Sequence, residues 1–377
     1  MAETVLIAAQ SGRALAEAAR RAGLAPRVAD LFGDSDTLEL ADAYRPLPGR
    51  LGAGLAADAV LAALDALVDG AGRCLGLVLG SGFEDAPTLV AAIGARHRLI
   101  GAGPETIAAL KDPLAFAALC ARLGVPHPAV SVGPVPDPEN WLLKRAGGSG
   151  GGHIRAAGRG QAPPGHYLQA RAPGRPCALN FLAERNGIRP LALTEQWCAP
   201  SPIRPFRYGG ALAPTAAEPP ALPAAITAAI VEAAEKIAAA TGLRGLASAD
   251  VLADDAGWRL TEINPRPGAT LDVLDRRGAP LFAAHVAACL GGTPEIGAAP
   301  VDAAASRICY AGGDHAPVPA LAWPDYARDR PRPGSTVRRD APLCTVLATG
   351  KDGGAARAAL DDRTARLEAA LARATAH

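Results

Sequence analysis

The stretch from Leu246 to Asp272, LASADVLADDAGWRLTEINPRPGATLD, limits the chain more than any other, because its pattern brings acidic side chains together. Leu246 to Ala253 reads as a strand, Asp254 to Gly257 as a turn, and Trp258 to Ile263 as a return strand that Pro265 stops. A three-residue loop of Asp255, Ala256 and Gly257, with Gly257 at positive φ, sets Asp254 against Trp258 and therefore Asp250 against Glu262. Opposed residues share a sheet face, as do residues two apart on a strand, so Asp250, Glu262 and Asn264 converge. Two carboxylates that close repel unless one takes up a proton or a cation lies between them. Mg2+ suits such hard oxygen donors, keeps several waters, and completes its shell with substrate phosphates. A solvated acidic hairpin competes with this reading for the Asp250 and Glu262 pair taken alone. The Asn-Pro-Arg that follows presents Arg266 beside the carboxylates, where it suits an anionic phosphate.

These residues resemble the metal-binding signature of the ATP-grasp ligase superfamily, in which an acidic residue on one strand and Glu-x-Asn-x-Arg on the next hold the metal of MgATP. The resemblance implies Mg2+ (or Mn2+) on Asp250, Glu262 and Asn264, and a catalytic Arg266. The Glu-Ile-Asn-Pro-Arg form is similar to that of amino-acid ligases of the tyramine-glutamate ligase type, which implies carbon-nitrogen bond formation and a place in one-carbon cofactor biosynthesis.

At 377 residues the chain is long enough for two or three domains with cores of their own. A net charge of +1 with no basic stripe excludes a typical nucleic-acid binder. The seven cysteines are scattered and odd in number, with no Cys-x-x-Cys, so neither a disulfide framework nor a zinc site is expected and a cytoplasmic location is. Met1 to Gly12 reads as a first strand, and the apolar Leu281 to Leu290 as a buried helix too short to span a membrane. Among 38 basic side chains the only lysines are Lys111, Lys144, Lys236 and Lys351, so each lysine carries more information than an arginine.

The chain opens βαβ: a strand at Thr4 to Ala9, a helix at Arg13 to Ala22, and a strand near Arg27 to Phe32. After a further helix, the strand Cys74 to Leu79 ends in Ser81 to Glu84, a candidate substrate loop beyond a carboxyl end, and a strand at His97 to Ile100 closes the unit. Lys111 precedes a helix from Asp112 and Pro113 to Leu123, stopped by Gly124. Trp141 to Lys144 reads as a strand, followed by the run from Gly147 to Gly152 and a strand at His153 to Ala157. The spacing fits neither a P-loop nor a dinucleotide fingerprint. A lysine at the joint of strand and glycine loop makes a flap whose amides can fold over phosphates, with a plain linker as the competing reading.

It resembles the ATP-grasp lid, and the resemblance implies ATP binding through Lys111, Lys144, Gly148, Ser149, Gly150 and Gly151, with Lys144 also catalytic. Tyr167 to Ala172 stands at the hinge that reads adenine, with Gln169 and Arg171 as its contacts, although the carboxylate that commonly holds ribose is replaced by Pro176 and Cys177. Arg204, Arg207 and Tyr208 lie on a proline-stiffened loop where arginines could clamp a substrate carboxylate or be solvated. Leu222 to Thr241 reads as a helix, the segment from Pro331 to Gly350 as short strands and turns, and Ala355 to Arg373 as a closing helix.

The fold expected is therefore α/β (α+β): an ATP-grasp fold with a Rossmann-like domain before it (1–105), the ATP-grasp domain (106–295, lid about 126–172), and a β-rich C-terminal appendage (296–377). The expected partners are a small-molecule carboxylate and an amine, without nucleic acid or membrane, and a homodimer is left open. The alternative is a nucleotide-binding sensor or scaffold that keeps the fold without turnover. No Ser/His or Cys/His constellation is evident, so His153, His285 and His315 read as structural or surface residues. A nicotinamide dehydrogenase is excluded because Gln10 to Arg13 replaces the glycine fingerprint after the first strand.

Overall fold

The computed structural model describes residues 2–219 and 221–375, so Met1, at the head of the expected first strand, lies outside it. Four strands, β1 (Thr4–Ala8), β2 (Ala25–Asp30), β3 (Ala43–Pro46) and β4 (Cys74–Leu79), form a parallel sheet in the order β3-β2-β1-β4. Its helices are α1 (Arg13–Arg21), α2 (Ser35–Leu40), α3 (Ala57–Val68) and α4 (Pro87–Gly94). The short α2 and β3 give no periodic signal in the sequence. The strand expected at His97 to Ile100 is reduced to one bridge, Leu99 to Leu77, because Gly101, at φ +147, turns the chain away after three residues.

Next come α5 (Pro104–Lys111) and α6 (Pro113–Leu123). Lys111 does not stand free before a helix as expected: it ends α5, and the Asp112 carboxylate caps α6 by accepting from the amides of Leu114 and Ala115. The amides that would draw an external anion at that helix end are thus already served. A small sheet follows, β5 (Val130–Ser131), β6 (Trp141–Arg145), β7 (Arg155–Ala156) and β8 (His166–Ala170), ordered β5-β8-β6-β7. Only two residues of the expected strand His153 to Ala157 pair, since the glycine loop takes up the rest.

The largest sheet comprises β9 (Arg175–Glu184), β10 (Gly187–Cys198), β11 (Tyr208–Ala213), β12 (Gly245–Asp254), β13 (Gly257–Asn264), β14 (Ala303–Tyr310), β15 (Ala327–Arg328) and β16 (Pro342–Gly350). Its order is β13-β12-β9-β10-β11-β14-β16-β15, so the C-terminal strands extend the sheet that holds the hairpin. On one face Leu179, Phe181, Val251 and Leu260 pack with Ile230 and Ile237 of α7 (Ala224–Thr241). Further along, Ala305 and Val346 pack with Leu360 and Leu367 of α10 (Gly353–Thr375). The opposite face meets the N-terminal sheet's helices and α9 (Leu281–Leu290) through Leu182, Leu246 and Phe282. Between β13 and α9 lies α8 (Leu271–Leu274). Among the described residues no helix is long and apolar enough to cross a membrane.

Two buried side chains join these layers. Arg13 of α1, 1% exposed, pairs with Glu17, with Asp272 of α8 and with Asp329 beside β15. His285 of α9 accepts from the Leu246 amide at 2.9 Å, and its other ring nitrogen lies 3.1 Å from the Ile100 carbonyl. Burial holds His285 near pH 4, below its ordinary 6.5. The folded chain therefore keeps it neutral where the unfolded chain takes up a proton, and stability present above pH 6.5 is lost as the pH falls toward 4. Changing His285 to alanine is expected to cost about 3 kcal/mol at pH 7.5 by urea denaturation. It should also shrink the stability lost between pH 7.5 and 5 by about 2 kcal/mol. His127 and His153, likewise held near 4 by burial, keep part of that dependence in the variant.

Candidate functional site

The hairpin of β12 and β13 opposes Asp250 to Glu262 and Ser248 to Asn264. It reaches that register by a different route from the one expected. The loop is two residues long, with Asp254 opposite Gly257 and Ala253 opposite Trp258, and Gly257 is not at positive φ. Asp254 stabilises the tight loop by accepting from the amides of Ala256 and Gly257. A bulge at Thr261 then takes up the extra residue, and Thr261 Oγ1 donates to the Asp250 carbonyl at 2.9 Å. The bulge also reverses the phase of the strand. Trp258 and Leu260 face the core under α7, whereas Glu262 and Asn264 face the other way, into a cleft.

In that cleft Asn264 Nδ2 donates to Asp250 Oδ2 at 3.1 Å and to Ser248 Oγ at 3.4 Å. Lys111 Nζ reaches Asn264 Oδ1 at 2.8 Å and Glu262 Oε2 at 3.1 Å. Burial, then the Glu262 charge, push the Asp250 carboxyl up, while for Glu262 the ammonium groups of Lys111 and Lys144 outweigh burial and hold it down. A cation already sits on two of the three oxygens, so this donor set favours positive charge. Two carboxylates and an amide oxygen fit a hard divalent ion with open positions. Among the described residues no group of three or more His, Cys, Asp or Glu gathers into a fuller cage.

Lys144, at the end of β6, donates to Gln169 Oε1 of β8 at 3.1 Å and lies 5.9 Å from the centre of the Tyr167 ring. Burial, helped by the Lys111 charge, lowers its pKa against the pull of Glu262 and Asp250. These groups, with Lys111, Phe116, His153 and Glu262, line a cleft of about 390 Å³. His153 is thus part of the site and not remote from it. The glycine loop closes one side: a Cβ on Gly148 would meet the His153 ring at 2.6 Å, and one on Gly147 would meet Asp85 at 2.6 Å. Gly150 O accepts from the Tyr208 amide at 2.8 Å, which docks the loop on β11. Ser149 is half-buried within this loop, and Arg171 is exposed beyond β8.

Arg266 leaves the hairpin beside this cleft, and its Nε donates to Glu84 Oε1 at 2.6 Å. Glu84 also accepts from the Gly82 amide at 2.6 Å; burial would raise its pKa, but Arg266 and Lys111 hold it down. The loop expected to touch substrate therefore anchors Arg266, and the pair flanks an apolar pocket of about 410 Å³ lined by Leu79, Phe83 and Ile107. The arginines suggested as a carboxylate clamp are tied to the C-terminal segment. Arg207 pairs with Asp340 at 2.9 Å and stacks 3.8 Å over the Tyr310 ring, and Arg204 donates to the Asp340 carbonyl.

Beneath the hairpin Thr270 donates to Asn180 Oδ1 at 2.6 Å, and Asn180 donates to Thr194 Oγ1 at 3.0 Å. The sequence signal for this buried network was Asn180 itself, a polar residue inside the apolar run Cys177 to Ala183. Glu84 was singled out only as part of the Ser81 to Glu84 loop, and His153 had no comparable local signal.

A family model for the ATP-grasp domain matches residues 113–270. The fold is that of ATP-grasp proteins. A search of curated protein sequences found no match. Solved structures show the ATP-grasp fold over nearly the whole chain. The biotin carboxylase of Campylobacter jejuni, solved as its β,γ-ATP complex, is 16% identical with a TM-score of 0.70, covering 95% of this chain and 90% of its own. The L-amino acid ligase of Bacillus licheniformis is 16% identical with a TM-score of 0.67, over 96% and 97%. The biotin carboxylase domain dimer of the Hydrogenobacter thermophilus 2-oxoglutarate carboxylase, solved with MgADP and bicarbonate, is 15% identical with a TM-score of 0.64, over 93% and 87%.

Proposed function

We propose that the chain is an ATP-dependent ligase that activates a substrate carboxylate as an acyl phosphate and passes the acyl group to an amine, releasing ADP and phosphate. The observation that carries this reading is the placing of Lys111 and Lys144 around the Asp250, Glu262 and Asn264 oxygens under a glycine loop. Phosphoryl transfer needs positioning and charge neutralisation more than a protein nucleophile, and none is evident here. Lys144 and Gln169 would hold the nucleotide end of ATP, and Lys111 would turn from Glu262 and Asn264 to a phosphate oxygen. Mg2+ on Asp250, Glu262 and Asn264 would supply charge neutralisation at the β and γ phosphates. Arg266, oriented by Glu84, would face the transferring group, and the glycine loop would keep water from the acyl phosphate.

The carboxylase neighbours leave the bond formed open, while the amino-acid ligase neighbour and the Glu-Ile-Asn-Pro-Arg form support a carbon-nitrogen bond. A role in cofactor biosynthesis rests on the latter form alone. Hydroxylamine traps an acyl phosphate as a hydroxamate, so protein with MgATP, hydroxylamine and a set of carboxylic acids is expected to release ADP and form hydroxamate with at least one acid. ADP release with every acid and hydroxamate with none would contradict acyl-phosphate formation.

A further inference from the structure

We propose that Cys309 and Cys344 form a peroxide-sensitive dithiol, a modification site at which oxidation joins β14 to β16 through a disulfide. The two lie 35 positions apart in the sequence and directly opposite each other in the sheet. Opposed residues on antiparallel strands have Cα atoms about 4.5–5.5 Å apart, within the span that a disulfide bridges. Their side chains share a face, and both pack with Val346, Leu360 and Leu367 under α10. The thiols already meet, since the Cys344 thiol donates to the Cys309 sulfur. Cys344 is buried, whereas Cys309 keeps part of its surface in solvent, which gives a small oxidant a way to one sulfur of the pair.

Among the described residues no other cysteine is placed in this way. Cys74 lies opposite Thr4, Cys177 opposite Glu195 and Val251, and Cys198 opposite Tyr208, while Cys120 and Cys289 stand on helices. Burial pushes the thiols of Cys120, Cys177, Cys198 and Cys289 up. Cys309 moves the other way, because the hydrogen bond from Cys344, with the Arg307 charge, outweighs burial and Glu368. The thiolate is the form that attacks. As the Cys309 sulfur bonds to one oxygen of hydrogen peroxide, the O–O bond breaks, and the departing hydroxide takes up the proton that Cys309 gave and leaves as water. The Cys344 sulfur then displaces the sulfenic hydroxyl, which leaves as a second water with the Cys344 proton. Two thiols lose two electrons and the peroxide gains them.

The residues beside the pair carry contacts that join the molecule. Tyr310 donates to the Tyr208 carbonyl, and the Tyr208 amide holds the glycine loop at Gly150. Thr345 donates at 2.6 Å to Asp329, the partner of Arg13. A cross-link between Cys309 and Cys344 therefore ties together the strands that anchor the glycine loop and α1.

The test treats wild-type protein with hydrogen peroxide, quenches with catalase and alkylates after denaturation. Two of the seven thiols should be lost, with the mass of two hydrogen atoms. Proteolytic fragments carrying Cys309 and Cys344 should be linked, and dithiothreitol should restore every thiol. With dimedone present, Cys344→Ser should trap the sulfenic acid on Cys309 about tenfold faster than on the exposed Cys74 or Cys198. The wild-type result decides the matter if that variant does not fold. A link between other cysteines, or loss of Cys74 and Cys198 while Cys309 and Cys344 stay free, would overturn the proposal. So would conversion of Cys309 in wild type to a sulfinic acid with no link to Cys344. ADP release plays no part in these measurements, so their outcome is independent of the ligase reading.

Discussion

Glu262→Ala is expected to lose the rise in melting temperature that MgATP gives the wild type, and to lose ADP release with it. Binding at a hundred times the dissociation constant adds about 2.7 kcal/mol, a shift of a few degrees in a chain of this size. Glu262 is the residue on which the opposing charges meet. It receives Lys111 at 3.1 Å, it depresses in pKa under Lys111 and Lys144, and it raises Asp250 across the hairpin. Without it, one carboxylate and an amide oxygen remain, too few hard donors to compete with water for a divalent ion. Loss of comparable electrostatic groups lowers kcat by about a hundredfold to a thousandfold. The empty variant should be only modestly weaker, by about 1–2 kcal/mol, because Glu262 is 32% exposed and Lys111 keeps Asn264. A variant with the full MgATP shift would remove Glu262 from the site.

Gly151→Ala should act on turnover more than on binding. Gly151 lies at φ +68, and a Cβ there would stand 2.0 Å from the Phe206 carbonyl oxygen, a backbone atom that cannot move aside without displacing the entry to β11. The glycine loop must lift from its contact with Tyr208. A lifted loop exposes the reacting phosphate to water, and a misplacement of about 1 Å can cost a hundredfold in rate. MgATP should still shift the melting temperature, since Lys111, Lys144 and Glu262 are untouched. Gly150→Ala supplies the control: Gly150 has the same φ of +68 and nothing within 4 Å of the added carbon. It carries only the backbone strain, about 1 kcal/mol. Equal loss of kcat in both variants would show that strain, and not docking on β11, is what the loop feels.

Much of this was legible locally. The capping of α6 by Asp112 and Pro113, its end at Gly124 (φ +66), the helix Leu281–Leu290 and the opposition of Asp250 to Glu262 all follow from residues within a few positions of one another. The hairpin also shows how local reading can succeed by compensation. A three-residue loop and a two-residue loop followed by a bulge leave Asp250 opposite Glu262 alike. Only the packing of Leu260 under α7 requires the bulge, and that requirement comes from a helix elsewhere in the chain.

By itself the sequence determined most of the longer strands and helices, the acidic hairpin, the lysine beside a glycine loop and the buried character of α9, because periodicity and turn chemistry act over neighbouring residues. The tertiary structure decided which charges meet. Lys111 finds Glu262 across 151 positions and Arg266 finds Glu84 across 182. It also decided that Arg207 belongs to Asp340 and that β14 and β16 lengthen the sheet of the hairpin. Such pairings depend on strand register and on how layers stack, and no short-range pattern encodes either, since both are set by burying apolar faces that lie far apart in the chain.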